Sequence, residues 1–458
     1  MKKKIKILFW IVLFFILSGF GFVLVKYPPV MVSFAAKGVC SCVYVAGRTL
    51  ESVRAEELQV YPFLPNAEIQ LNPNSTVTAR LLWHSRKAIY RKGLGCTLLS
   101  EQPEEVVRLQ SFKITGPPPY NQDTLAWPLG NKPNDISYNI NQEKLNQILD
   151  SAFIETNPNK PIRTRAVVVV YNGEIIGEKY AEGFDKNSRM MGWSMTKSIM
   201  NALIGVLVRD GKLYLNEEAP IAEWQNDERK KIKLENILQA TSGLKWNESY
   251  FNPFSDFHMM FTYSDDKAKF ERSRKSKYPP GEYFQYSSSS TNILSGILRQ
   301  TVGENYWAFP YERLFYKIGM QSAIMECDAS GNFVASSYCF ATARDWARFG
   351  LLYLNDGNAN GERILPEGWV EYSTTPSLAA KRGEYGAQWW LNAGEKNNPA
   401  NRIYPELPPD AYWADGFEEQ YVMVIPSKNL VVVRLGVSHH GSPFEKMVKE
   451  IIQCLPEN

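Results

Sequence analysis

The hydrophobic pattern changes period along the chain, from one continuous apolar run at the start to alternating and then helical spacing. Residues 7–25 form a stretch without a single charged side chain. Over residues 68–115, apolar and polar positions alternate roughly, which predicts short strands. Farther on, apolar residues recur at helical spacing. This pattern predicts helices over residues 141–153, 195–209, 233–240, 291–302 and 343–355.

Two predicted hairpins enclose most of these helices. The first covers residues 165–180, where Asn172-Gly173 is a strong signal for a tight turn between two strands. The second covers residues 420–436, and a closing helix is predicted over residues 443–455. Strands at both ends with helices between them predict an α+β fold, in which an antiparallel sheet flanked by helices carries an inserted helical domain.

The first apolar segment is long enough to cross a bilayer. Its 19 residues would span roughly 28 Å as a helix, close to the thickness of the hydrocarbon core. Four lysines among residues 2–6 are expected to stay in the cytoplasm, which places everything after Lys26 outside. This predicts a single-pass protein of the cytoplasmic membrane with its main domain on the periplasmic side. The alternative is a signal peptide, cleaved at the small residues that follow Phe34.

The pattern divides the chain into three segments. Residues 1–26 are the predicted membrane anchor, and residues 27–140 are a predicted extracytoplasmic region that ends in a linker. That linker begins at the prolines 117–119 and continues through a polar stretch. Residues 141–458 form the predicted main domain.

Charge and composition exclude two classes of function. The chain has 51 basic and 48 acidic residues, a net charge of +3 over 458 residues, so it lacks the electrostatic footprint of a nucleic-acid-binding protein. Its four histidines form no HExxH pattern, and no paired CxxC occurs. A zinc enzyme is therefore not expected.

The six cysteines would face a compartment in which disulfides persist. Cys327 and Cys339 are near enough in sequence to close a short loop, and buried thiols are an equally open alternative. The pairing cannot be derived from the spacing. The cysteines are residues 40, 42, 96, 327, 339 and 454.

The strongest candidate for chemistry is Ser194, in an S-x-x-K pattern that ends at Lys197. Such a pattern is weak alone, because a serine that caps a helix beside a solvated lysine is the commoner case. The chain holds two further copies, at Ser242 and Ser264, which are typical of a turn and a charged loop. Ser194 instead opens a stretch with helical apolar spacing, so Lys197 lies one turn on over the same face. Burial of that turn would lower the pKa of the lysine until the amine can accept a proton.

A second candidate is Tyr286, within a run of serines. A turn at Pro279-Pro280-Gly281 precedes it, and helical spacing begins near Asn292. Tyr286 is thus expected on a tight loop from which a phenol can point into a cleft. Taken alone, a tyrosine in this setting is more often a core or capping residue.

Together, these segments resemble the serine β-lactamase and penicillin-binding superfamily, in particular its class C and esterase-like branches and the nylon-oligomer hydrolases. The first motif of that superfamily is S-x-x-K and the second is Y-x-N or Y-x-S. Residues 194–197 and 286–288 match them. The similarity covers roughly residues 165–455 in the family's order. Further similar stretches are residues 238–244, 341–354 and 385–390.

The resemblance implies a two-step acyl transfer. Ser194 would attack a carbonyl carbon while Lys197 and Tyr286 take up its proton, and Tyr286 would protonate the leaving group. Ser288 would orient Lys197. The implied partner is a small-molecule amide or ester, and no metal or organic cofactor is required.

One family motif departs from the expected sequence. The strand that lines the site usually carries Lys-Thr-Gly or His-Thr-Gly, whereas residues 413–417 here contain neither cation. The resemblance places the oxyanion between the backbone N–H groups of Ser194 and of Phe417, the residue after Gly416. Because the cation that would hold a β-lactam carboxylate is missing, and Glu418 adds negative charge, hydrolysis of anionic penicillins is not expected.

Two alternatives from other classes stay open. The chain could be a catalytically silent binder of cell-wall peptides or another ligand, or a membrane-tethered scaffold in which residues 27–150 bind a partner. Aromatic side chains near the expected cleft suit an apolar substrate, and they are equally typical of core packing. These aromatic residues are Trp193, Tyr250, Trp389, Trp390 and Trp413.

Overall fold

The computed structural model describes residues 2–61, 63–112, 116–118, 120–134, 136 and 138–456. Pro119, in the predicted linker, lies outside the described residues. The α-helices, numbered in chain order, are α1 Lys2–Tyr44, α2 Leu50–Ala55, α3 Glu104–Arg108, α4 Gln142–Ser151, α5 Thr196–Arg209, α6 Leu234–Leu238, α7 Asp256–Tyr263, α8 Lys267–Arg272, α9 Ser288–Val302, α10 Ala343–Leu354, α11 Trp369–Thr374 and α12 Phe444–Ile452.

The strands pair antiparallel throughout the described residues. They are β1 Glu68–Asn72, β2 Thr76–Leu81, β3 His84–Arg91, β4 Gly95–Leu99, β5 Thr164–Tyr171, β6 Glu174–Tyr180, β7 Met190–Met191, β8 Ile324–Met325, β9 Cys339–Ala341, β10 Asn358–Ala359, β11 Glu362–Arg363, β12 Trp390–Leu391, β13 Tyr412–Gly416, β14 Gln420–Ile425 and β15 Leu430–Gly436.

The main sheet has six strands in the order β12-β13-β14-β15-β5-β6. It confirms both predicted hairpins. Asn172 and Gly173 adopt positive φ angles of 48° and 86° between β5 and β6, the backbone that a two-residue hairpin turn requires. Helices α5 to α11 all lie in sequence between β7 and β12, so the first and last strands of the chain's main domain meet in one sheet.

Alternating side chains bury both faces of this sheet. On β5, Val167 and Val169 pack with α4 and α12, whereas Ala166, Val168 and Val170 pack in the larger core that contains α5 and α10. This two-sided burial explains why β5 reads as a continuous apolar run rather than as an alternating pattern. The result is an α+β architecture in which helices flank antiparallel sheets.

The N-terminal region forms a second core that packs against the main domain. Strands β1 to β4 make a four-stranded sheet, and the second half of α1 lies across it. A disulfide between Cys40 and Cys96 ties α1 to β4. Lys37 forms a buried ion pair with Glu326 of the main domain, and Ser41 donates a hydrogen bond of 2.8 Å to the same carboxylate. These contacts fix α1 to both the small sheet and the main domain.

Helix α1 continues without interruption through the predicted anchor and into this core. The predicted boundary at residue 26 therefore lies within one helix, just before Pro28 and Pro29. Among the residues that the structure describes, the segment Val23–Tyr44 is long and apolar enough to cross a membrane, by length and composition only. Within its most apolar window, 61% is buried inside the protein. Many side chains of residues 7–25 lie outside the description.

The two cysteines that lie close in sequence do not form a disulfide, as the alternative of buried thiols predicted. Cys327 and Cys339 are buried and unpaired, as are Cys42 and Cys454. The disulfide instead joins Cys40 and Cys96, which are 56 residues apart. A bond between residues this distant in sequence depends on the tertiary fold, which is why spacing alone did not reveal it.

Candidate active site

Ser194 lies where a short 3₁₀ turn, Trp193–Met195, leads into α5. The turn is tight. Trp193 has a φ of 47°, and a β-carbon on Gly192 would lie 2.2 Å from the side chain of Trp346, so only glycine fits there. Ser194 is partly exposed while the following residues are buried. The local geometry thus holds one hydroxyl at the open end of an otherwise buried helix.

Lys197 is the nearest partner of this hydroxyl. Its Nζ donates hydrogen bonds of 2.9 Å to Ser194 Oγ and 2.9 Å to the Ser336 carbonyl. The side chain is only 2% exposed. Burial lowers its pKa from 10.5 to about 8, although the nearby carboxylates of Glu248, Glu271 and Asp415 oppose the shift. An amine with this pKa is neutral in a useful fraction of molecules near neutral pH.

Tyr286 borders the same pair of residues. Lys197 Nζ lies 4.9 Å from the centre of the Tyr286 ring, and the ring packs 5.3 Å from Trp390. Burial raises the pKa of Tyr286 well above its usual range, while a hydrogen bond with Ser194 lowers it. The phenol is therefore protonated over the physiological range and can act as a proton donor.

Ser288 contacts a carboxylate that the sequence analysis did not single out. Its hydroxyl donates to Glu248 Oε1 at 2.5 Å, and its backbone N–H donates to Glu248 Oε2 at 2.8 Å. Tyr250 also donates to Glu248, at 3.0 Å. Ser288 thus donates its hydrogen bonds to Glu248 rather than to Lys197, and it can affect the lysine only electrostatically, through this carboxylate.

A second layer of polar groups supports the carbonyl that binds Lys197. Asn292 accepts from the Ser336 backbone N–H at 3.2 Å and donates to its hydroxyl at 3.2 Å. The same amide donates to Glu271 at 3.1 Å. Burial raises the pKa of Glu271 well above its usual value. This network positions the loop around Ser336 opposite α5.

Strand β13 closes the other side of the cleft. A β-carbon on Gly416 would lie 2.3 Å from the Gly192 carbonyl oxygen, so the strand approaches the turn before Ser194 closely because residue 416 is glycine. The Phe417 ring lies 5.5 Å from that of Trp193. Trp193 Nε1 in turn donates to Glu418 at 3.1 Å. Gly416 and Phe417 thus lie beside the turn that carries Ser194.

Aromatic side chains line the mouth of the cleft around Ser194. Two of them, Phe34 on α1 and Tyr61 after α2, come from the N-terminal region. Of the predicted aromatic residues, Trp389 and Trp413 are instead fully buried in the core. The lining residues are Phe34, Tyr61, Trp193, Ser194, Tyr250, Phe257, Ser337 and Phe417.

Three carboxyl groups near the site have raised pKa values. Burial raises the pKa of Asp415 to about 7 and that of Glu418 to about 8. Glu271 is also shifted upward, as described above. The aromatic mouth itself contains no Lys, Arg or His among its described lining residues. Apart from Lys197 beside Ser194, the described lining of the cleft mouth therefore offers no cation to an anionic substrate.

Comparison with known proteins identifies the family. The Beta-lactamase family profile matches residues 150–452, about two thirds of the chain. The chain belongs to the β-lactamase family. The predicted resemblance is thereby confirmed.

Relatives with this fold are named as hydrolases. The chain is 25% identical over 265 residues to a 6-aminohexanoate-dimer hydrolase of Paenarthrobacter ureafaciens, covering 51% of this chain and 66% of that protein. A Bacillus anthracis protein assigned to the same activity superposes with a TM-score of 0.58 at 24% identity, covering 74% of this chain and 90% of the other. A family VIII carboxylesterase superposes with a TM-score of 0.54 at 14% identity, covering 70% and 99%.

Sequence reasoning on this β-lactamase-family chain missed residues whose roles depend on distant contacts. Glu248 reaches Ser288 across 40 positions, and Ser336 reaches Lys197 across 139. The segment that contains Glu248 follows one of the family-like stretches, which was the only signal available. In the sequence, Phe34 stands out only because small residues typical of a cleavage site follow it.

Proposed function

We propose that the protein is a serine hydrolase that cleaves a neutral amide or ester through an acyl-enzyme on Ser194. The observation that carries this proposal is the 2.9 Å hydrogen bond between Ser194 and a buried lysine whose pKa is lowered to about 8. A structural lysine gains nothing from losing its charge, whereas a general base requires it. The hydrolase names of the relatives support the same class of reaction.

In the first step, Ser194 Oγ forms a bond to the substrate carbonyl carbon and its proton moves to the neutral Lys197 amine. The carbonyl oxygen becomes an oxyanion that accepts hydrogen bonds from the N–H groups of Ser194 and Phe417. Tyr286 then donates its phenolic proton to the leaving oxygen or nitrogen, and Lys197 returns a proton to the tyrosine. The carbon–heteroatom bond breaks, which leaves the acyl-enzyme.

Water completes the reaction. It attacks the acyl carbon and gives up a proton through the same lysine and tyrosine, the carboxylic acid leaves, and Ser194 regains its hydrogen. Ser288 donates a hydrogen bond that holds Glu248, and the carboxylate of Glu248 raises the pKa of Lys197. The aromatic lining of the mouth favours a neutral or apolar acyl group over an anionic β-lactam.

The N-terminal helix anchors this hydrolase in the cytoplasmic membrane, with the catalytic domain on the periplasmic side. Cleavage after residue 36 would remove Val30, Met31 and Phe34 from the core that contacts the small sheet. Ala35 and Ala36 are themselves fully buried in that core. Intact-mass measurement of the membrane fraction should therefore detect a chain that retains residues 1–36. A mature chain that begins at Lys37 would contradict the anchor.

Turnover of soluble substrates tests the proposed activity. Full-length protein in detergent is expected to hydrolyse p-nitrophenyl butyrate, and Ser194→Ala should lose this activity while its thermal unfolding is unchanged. The anionic β-lactam nitrocefin should be a poor substrate. A folded wild-type protein that hydrolyses no ester or amide would favour the catalytically silent binder. Full activity in Ser194→Ala would refute the proposed nucleophile.

A further inference from the structure

Large apolar side chains are exposed on two loops beside the N-terminal helix. Phe63 is 64% exposed, Phe251 is 74% exposed and Phe254 is 44% exposed. The described loop residues are 60, 61 and 63–66 in the first loop and 249–255 in the second, and none of them is charged. Exposed aromatics that cluster without charge are unusual on a surface that faces only water.

Contacts join these loops to each other and to the end of the apolar run in α1. Tyr27, two residues after that run, donates a hydrogen bond of 3.3 Å to the Phe251 carbonyl. The rings of Tyr61 and Phe251 lie 6.2 Å apart, with their planes at 75°. The two loops and the exit of the helix therefore form one face, here called the aromatic face and made of Tyr27, Phe63, Phe251 and Phe254.

The position of this face along α1 fixes its level relative to a bilayer. Tyr27 follows the last residue of the apolar run, Val25, by about 3 Å of helix rise, where aromatic side chains prefer the lipid headgroups. Phe34, which lines the cleft, lies roughly 13 Å beyond Val25 on the same helix. The mouth of the active site is thus close to the headgroup region of the membrane in which α1 is anchored.

The aromatic face and the cleft share neighbouring residues. Tyr61 lines the cleft, and Phe63 is exposed two positions later. Tyr250 lines the cleft, and Phe251 is exposed at the next position. A molecule that leaves the bilayer beside Tyr27 would therefore find apolar residues of both loops next to the mouth of the cleft.

We propose that the aromatic face docks against the bilayer and that the substrate is a membrane-resident amphiphile, whose apolar chain enters through this mouth to present an ester or amide carbonyl to Ser194. This inference rests on the proposed hydrolase function and on the anchor, and it adds the substrate class and its route. Residues 413–417 lack the Lys or His of the family motif, and the lining of the cleft mouth is apolar. Both features agree with a substrate that is recognised by its apolar chain.

Depth measurement on the full-length protein tests the docking directly. A spin label is attached at Phe251→Cys or at Tyr214→Cys, and the protein is reconstituted in vesicles of phosphatidylcholine and phosphatidylglycerol. Tyr214 is an exposed aromatic beyond the far end of α5 and serves as the matched control. The label at position 251 should collide more with oxygen, and the label at 214 more with a water-soluble nickel chelate. Equal, water-like collision behaviour at both positions would overturn the docking.

Activity on two esters tests the route. For Phe251→Ser/Phe254→Ser, kcat/KM for vesicle-borne p-nitrophenyl palmitate should fall at least about tenfold, equivalent to about 1.4 kcal/mol. Hydrolysis of water-soluble p-nitrophenyl butyrate should stay within about twofold, and Tyr214→Ser should change neither. Equal losses on both esters, or no loss on either, would overturn the route.

Labelling of Ser194 by a fluorophosphonate separates this inference from the proposed function. Normal labelling together with a water-exposed position 251 would refute the docking and leave the hydrolase function intact. Absence of labelling would refute the proposed function and with it the substrate class.

Discussion

Replacing Lys197 by methionine is expected to abolish turnover and also to make the folded protein more stable near neutral pH. The amine is 2% exposed, and burial lowers its pKa from 10.5 to about 8. The fold therefore carries the cost of bringing a cation out of water. Methionine has a similar length and no charge, so it can occupy the same space without that cost.

The size of the effect follows from the shift in pKa. A fall from 10.5 to about 8 corresponds to about 3 kcal/mol at a pH below both values. Loss of the hydrogen bond to the buried Ser336 carbonyl returns about 1 kcal/mol, whereas the partly exposed Ser194 hydroxyl can bond to water instead. This leaves a net gain of about 2 kcal/mol. Because the folded pKa is lower than the unfolded one, the unfolded wild-type chain binds more protons between these values. Wild-type stability therefore rises with pH from about 8 to about 10.5, and the advantage of methionine disappears there.

The assay is thermal unfolding of the full-length protein in detergent at pH 7 and at pH 10.5, with ester turnover measured in parallel. Lys197→Met should raise the unfolding midpoint by a few degrees at pH 7 and by much less at pH 10.5. Lys230→Met, at an exposed lysine, is the control and should change neither stability nor turnover. A Lys197→Met protein that is less stable at pH 7, or that retains turnover, would refute the buried-base reasoning.

Three further changes have defined outcomes. Glu248→Gln removes a charge that raises the pKa of Lys197, so the rising limb of kcat/KM against pH, expected near pH 8, should move to lower pH. Gly416→Ala would bring a β-carbon to 2.3 Å from the Gly192 carbonyl and push β13 away from the turn that carries Ser194. As a result, kcat for a soluble ester should fall about 100-fold. Cys96→Ser breaks the disulfide to α1 and should lower the unfolding free energy by about 2–4 kcal/mol, read as a lower unfolding temperature.

Each of these changes has a matched control and a contrary result. Cys454→Ser alters a buried thiol without a disulfide partner and should cost less than Cys96→Ser, whereas equal losses would contradict a role for the bond. Gly116→Ala adds a β-carbon that meets nothing within 4 Å and should keep full activity. If Gly416→Ala kept as much activity as Gly116→Ala, the close approach of β13 would be irrelevant to catalysis. If the pH dependence of kcat/KM were unchanged in Glu248→Gln, the Glu248 carboxylate would have no effect on the pKa of Lys197.

Local signals in the sequence predicted much of the fold. The turn at Asn172-Gly173 and the helix that begins beside Ser194 each depend on residues a few positions apart. For the same reason α4 and α12 were predicted within a few residues of their ends. The S-x-x-K and Y-x-S motifs predicted Lys197 and Tyr286 as partners. In the structure, Lys197 Nζ lies 4.9 Å from the centre of the Tyr286 ring.

Features that depend on tertiary contacts could not be predicted in this way. Glu248 becomes part of the site only because its loop meets the start of α9. Phe34 lines the cleft because α1 runs on past the apolar run and packs against the main domain. The disulfide at Cys96 and the contact of Ser288 with Glu248 rather than with the lysine have the same origin, since they need the packed N-terminal region and the folded loops.

The central claim is that Ser194 is an activated nucleophile, and its most direct test is intact-mass analysis after treatment with a fluorophosphonate. The full-length protein in detergent should gain one adduct, which peptide mapping locates at Ser194, and Ser194→Ala should gain none. Labelling should be faster at pH 9 than at pH 7 by about tenfold, because a base with a pKa of about 8 is neutral in about a tenth of molecules at pH 7 and in most at pH 9. A folded wild-type protein that gains no adduct, or an adduct that persists in Ser194→Ala, would contradict the account.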